Sequence, residues 1–179
     1  MTNAIEQLGS GLTVGHVGLG YRGNSIGSVR QQVHDGDTIS VRAIGNFGVR
    51  FLGVDAPEIS FTLPKSSAFT SLQNEKWETF FVHCFDEGAY GSFNPSLQAG
   101  LREHLLSRIV AGVAHNHYRH AAAAQVTLEQ EVLNDIQALG QTQEAFQFFL
   151  AFAFEIMDRY GRMLCFVNRE QPDPMLPTL

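Results

Sequence analysis

The stretch VHDGDTIS, Val33 to Ser40, sets Asp35 and Asp37 on either side of a glycine, just ahead of a run with strand character. Two carboxylates this close repel unless a positive charge lies between or beside them, so the spacing suits a solvated turn or a cation site. D-G-D alone does not separate the two, because Asp and Gly are ordinary turn residues. The residues downstream do. VRFLGVDAPE adds Arg50, then Asp55 five positions later, then Glu58 beyond Pro57. Asp37 and Asp55, at the ends of neighbouring strands, can converge on one hard cation, with a main-chain carbonyl and waters completing its shell. Arg50 offers a forked donor to the same place, and Glu58, on a turn beside it, can hold or deprotonate a water. Charge neutralisation, stabilisation of a leaving oxygen and an activated nucleophile are what phosphodiester hydrolysis requires. Taken singly, each residue is an ordinary turn former; taken together they point to that chemistry.

These residues need elements to hold them. From Ser28 to Val54 the alternation of β-branched and aromatic residues with polar ones predicts three strands in a meander, with IGNFG, Ile44 to Gly48, as a connecting turn and Pro57 ending the run. Residues 61–95 are irregular, with a short helix around LQNEKWETFF. Leu97, Leu101, Leu105 and Ile109 share one helical face after a cap at Ser96, and a second helix is expected from Thr127, with Gln130 completing its capping box, to Gly140. The period then changes to strict alternation at Phe146, Phe148, Leu150, Phe152, Phe154 and Ile156, which predicts a buried strand; YGRMLCFVN follows as another after a turn at DRYG. QPDPMLPTL reads as a Pro-rich tail. Three strands, a long helical excursion and two strands suggest a five-stranded OB-type barrel with residues 61–140 as a mostly helical insertion, all within one domain over residues 1–179.

At 179 residues, 44% hydrophobic and 17% charged, the chain can bury a sizeable core. Its start lacks the basic segment and apolar core of a signal peptide, and no eighteen apolar residues run uninterrupted, so a cytoplasmic location without membrane association is the expectation. Cys84 and Cys165 have no metal or disulfide spacing and read as buried apolar residues. A net charge of −6 argues against a protein that holds nucleic acid mainly by neutralising phosphates. The acid is concentrated, however, in residues 59–157, where ten Asp or Glu face five Lys or Arg. Ten of the twelve basic residues are Arg, the better fork for phosphate oxygens.

VHDGDTISVRAIGNFGVRFLGVDAPE together with the later DRYGR resembles the staphylococcal-nuclease, or thermonuclease, family. The similarity covers Ser28 to Ile59 and Phe152 to Asn168. It implies an OB-fold nuclease that uses Ca2+ to hydrolyse DNA or RNA. Position by position it implies Asp37 and Asp55 as calcium carboxylates, with Ala56 offering its main-chain carbonyl. Asp35 and Thr38 support the site, Arg50 and Arg162 bind phosphate, Glu58 is the general base, and Tyr160 lies beside the nucleotide phosphate. His34 stands where an aliphatic residue is usual, Ala56 where threonine is found, and Arg159 where lysine is found. The 103 residues between Glu58 and Arg162 far exceed the family's compact form. The family domain also continues past its fifth strand into helices that cap the barrel, whereas here the sequence ends soon after Asn168; a piece of a longer protein and a member without the cap both agree with that.

His115, His117 and His120, with His104, would suggest zinc, but no carboxylate or cysteine falls at ligand spacing, and they read as a solvated helix end. The phenylalanines at 146–156 read as core rather than as a platform for stacking bases, and the acidic excursion as a solvated face or a partner surface. The rival to a nuclease is a non-catalytic OB module that binds nucleic acid or a protein.

Overall fold

The computed structural model describes residues 5–43, 46–86 and 97–169. Ile44 and Gly45 of the expected turn, the expected cap Ser96 and the Pro-rich tail lie outside them. In chain order the elements are β1 (Ile5–Gln7), β2 (Thr13–Leu19), β3 (Tyr21–Arg22), β4 (Ser25–Ile26), α1 (Val29–Gln32), β5 (Thr38–Arg42), β6 (Asn46–Phe51), β7 (Ser60–Thr62), β8 (Phe69–Ser71), α2 (Lys76–His83), α3 (Ala99–Arg108), α4 (Val113–Ala138), β9 (Gln147–Met157) and β10 (Met163–Arg169).

β2, β5, β6, β10 and β9 are hydrogen-bonded in that order, and β9 returns to pair with β2, which closes a five-stranded barrel. β6 and β10 run parallel while the other barrel pairs are antiparallel, so the barrel is mixed. β1 lies beside the first half of β2. Among the described residues no helix is long and apolar enough to cross a membrane.

The chain divides into two compact units, one of residues 1–56 and 123–179, the other of residues 57–122. The first is built around the barrel. Phe146, Phe148, Leu150 and Phe152 are buried in its core as their alternation predicts, with Val17 and Leu19 of β2, Ile39 and Val41 of β5, Val49 of β6 and Cys165 of β10. Val132 and Ile136 of α4 join the same core, with Leu128 against it. The expected 61–140 excursion is therefore shared between the units. The second unit has its own small core of Leu72, Trp77 and Ala114, flanked by Leu63, Phe80, Phe81 and Tyr118. Among the described residues its β7 and β8 pair only with each other.

Several local expectations are corrected. The first of the three strands expected from Ser28 is the helical turn α1, because Gln31 Oε1 accepts the Ser28 backbone N–H at 3.1 Å and stabilises a helix start. The barrel's first strand is instead β2, upstream. α3 begins at Ala99 with Gln98 at its N-cap, and its backbone turns extended at Ile109, so it does not run from 96 to 113. α4 begins at Val113 rather than near Thr127; Thr127 lies inside it and its hydroxyl donates to the Ala123 carbonyl at 2.9 Å. The stop at Gly140 holds. Gly140 takes φ +61°, its N–H reaches the Gln137 carbonyl and that of Gln141 reaches Ile136, the paired bonds of a Schellman cap. Both cysteines are buried and unpaired, and burial pushes the Cys165 thiol up to about 12.

Candidate functional site

The D-G-D turn leads directly into β5. Asp37 precedes Thr38, and Thr38 sits opposite Arg50 in the β5–β6 register. Arg50 in turn lies beside Leu164 of β10, two residues after Arg162. The start of β5, the end of β6 and the start of β10 thus meet at one end of the barrel, so three segments distant in sequence deliver their side chains together.

Asp37 is buried and fully engaged. Its Oδ1 accepts the Thr38 hydroxyl at 2.9 Å, its Oδ2 accepts the Ala56 N–H at 3.1 Å, and Arg50 Nη2 lies 3.5 Å from that same Oδ2. The same Arg50 nitrogen donates to Asp55 Oδ1 at 3.0 Å. The Asp55 side chain is otherwise 90% exposed. Asp35 closes an Asx turn by accepting the Asp37 N–H at 3.3 Å. Burial first, and the Asp37 charge second, push the Asp35 carboxyl above its ordinary value.

Arg162 reaches the same place from β10. Its Nη1 donates to Thr38 Oγ1 at 3.0 Å, and that hydroxyl donates on to Asp37. Its Nε is held at 2.8 Å by Asp158 Oδ2, while Asp158 Oδ1 accepts the N–H groups of Tyr160 and Arg162. Burial alone would raise the Asp158 carboxyl, but these donors and the Arg162 charge outweigh it and draw it below the ordinary value. The Arg162 stem crosses Gly48 of β6, where a Cβ would stand 3.3 Å from Arg162 Cγ. Tyr160 is 62% exposed, with the Arg159 and Arg162 guanidiniums 4.7 and 5.5 Å from its ring centre.

Asp35, Asp37, Thr38, Arg50, Asp55, Ala56 and Arg162 are thus brought together within the first unit, with Tyr160 beside Arg162. Glu58 is exposed and belongs to the second unit. His34 is exposed, and its Nε2 meets the Ser40 hydroxyl at 2.7 Å. His115, His117 and His120 are exposed on α4 within the second unit. Three contributors were missed in the sequence. Asp158 opens the DRYGR segment, and its Asx spacing to Tyr160 is the signal that the sequence carries for it. Gly48 and Gly36 gave none beyond being glycine, since their role is to leave room for Arg162 and for Ala124 and Ala56 respectively.

Among the described residues no group of three or more His, Cys, Asp or Glu is arranged to hold a metal ion. The side chains brought together offer carboxylate oxygens, a hard donor set, and neither imidazole nor thiolate. Four carboxylates, of Asp35, Asp37, Asp55 and Asp158, are joined in this network to the two guanidiniums of Arg50 and Arg162. Counted formally, the carboxylates outnumber the guanidiniums by two. Compared with protein-family models, curated proteins and solved structures, the chain matches none.

Proposed function

We propose that the chain is a calcium-dependent phosphodiesterase of thermonuclease type that cleaves DNA or RNA, built on an OB-type barrel. The strand order supports the fold: three successive strands in an antiparallel row, a parallel step from the third to the fifth, and a helix packed on the core ahead of the fourth. The observation that carries the functional reading is the shared network in which Arg50 bridges Asp37 and Asp55 while Arg162 reaches Asp37 through Thr38.

Asp37, Asp55 and the Ala56 carbonyl would hold the ion, which when bound supplies charge neutralisation at the phosphoryl group. Arg162, oriented by Asp158, and Arg50 grip the non-bridging oxygens as negative charge builds there. Tyr160 would lie beside the nucleotide phosphate. The attacking water gives up a proton to a base, for which the resemblance implies Glu58, as its oxygen bonds to phosphorus; the P–O bond to the leaving nucleotide breaks, and that oxygen is protonated by solvent.

The test is hydrolysis of single-stranded DNA and of RNA with calcium and with a chelator. Cleavage confined to the calcium arm is expected; its absence from the wild-type chain overturns the enzyme. One observation favours the rival, a non-catalytic OB module: both carboxylates already have a cationic partner in Arg50. That reading predicts binding of the same strands with no cleavage.

A further inference from the structure

Arg50 Nη2 lies 3.0 Å from Asp55 Oδ1 and 3.5 Å from Asp37 Oδ2, so the positive charge that these carboxylates need already comes from within the chain. We propose that Arg50 is an internal counter-ion that a divalent cation must displace, so that the arginine becomes free to grip a phosphodiester only once the cation is held. The proposal rests on the calcium site described above and concerns the order in which that site is filled.

A guanidinium and a divalent cation on the same two carboxylates repel, and each carboxylate oxygen that Arg50 engages offers less charge to a metal. Asp37 has little freedom to yield, being buried with Oδ1 held by Thr38 and Oδ2 by the Ala56 N–H. Asp55 is exposed and can swing, whereas the Arg50 backbone is fixed in the β5–β6 ladder and only its side chain can leave. The cation therefore exchanges places with a side chain rather than entering a waiting cage. By linkage the effect is reciprocal: a phosphodiester that captures Arg50 vacates the carboxylates and tightens the cation by the same factor. The apo chain is thereby protected from holding nucleic acid it cannot process.

Calorimetric calcium titration of the wild-type chain, Arg50→Gln and Arg50→Lys, without nucleic acid, tests this. Arg50→Gln should bind calcium about tenfold more tightly than wild type, while Arg50→Lys, which keeps the charge, should stay close to it. Equal or weaker binding by Arg50→Gln overturns the displacement and leaves the calcium site standing. Absence of binding in both wild type and Arg50→Gln overturns it together with the site. In the wild type, the Arg50 Nε–H resonance, identified by its loss in Arg50→Lys, should shift and exchange faster with solvent when calcium is added; a resonance unmoved by saturating calcium also overturns the proposal.

Discussion

Asp35 shows at the scale of one residue what the D-G-D spacing does to its carboxylates. Its raised carboxyl value means that the folded chain holds the proton more tightly than the unfolded chain does. The contribution to stability is then fully present below the unfolded value of 3.8 and lost as pH rises through the raised folded value. Asp35→Asn keeps an acceptor for the Asp37 N–H and removes the charge, so the denaturation midpoint should rise at pH 7 and hardly move near pH 3. Equal shifts at both pH values would show that charge is not the cause. Asp158 has the opposite sign, its stabilisation being present above 3.8 and lost as pH falls through its lowered value. Glu58 is a separate case: Glu58→Gln keeps the shape and removes the base, and should lower turnover by roughly two to four orders of magnitude with calcium still bound. Full activity in that variant, by the hydrolysis assay beside a calcium titration, would remove Glu58 from the chemistry. Asp37, Arg50, Asp55 and Arg162 were legible because their charges recur at telling spacings. Asp158 was less so, because its importance lies in orienting Arg162 rather than in any charge the site requires.

At the scale of elements, the glycine of D-G-D is there for room as much as for the turn. A Cβ on Gly36 would lie 2.6 Å from Ala124 Cβ on α4 and 2.9 Å from Ala56 Cβ. Neither neighbour is a flexible side-chain end, so Gly36→Ala must shift either the helix or the loop that carries Asp55. A loss of about 1–3 kcal/mol is expected in denaturant titration, accompanied by weaker calcium binding; unchanged stability would mean that α4 is not seated against the turn. Ala124, in the alanine run at 121–124, carries no signal in the sequence because its value lies in the close approach to Gly36 that it permits. α4 was half legible for a related reason. Its end carries a Gly signal, but HNHYRHAAAAQ shows neither cap nor apolar period, and only packing and the high helix propensity of alanine extend it back to Val113. β2 has a weak local signature because Gly15 and Gly18 interrupt the strand pattern that Val14, Val17 and Leu19 would otherwise present. Its pairing with β9, including His16 edge-on to Phe149 at 5.4 Å, is a long-range contact with no local trace.

At the scale of the whole molecule, the two units differ in what holds them. The barrel core contains fourteen buried residues among those described, whereas the core of the second unit contains three, Leu72, Trp77 and Ala114. Among the described residues the second unit thus has the smaller apolar interior, which offsets less of the conformational entropy of ordering it. The chain carries one tryptophan, Trp77, buried in that small core with its Nε1–H donated to the Thr70 carbonyl at 3.1 Å. Its fluorescence therefore reports on the second unit. The expectation is that, as denaturant rises, Trp77 emission moves to the red while amides of β5 and β9 remain protected from hydrogen exchange, so that the second unit opens below the barrel's own transition. If the fluorescence change and the loss of protection in β5 and β9 coincide at every denaturant concentration, the two units unfold as one cooperative body.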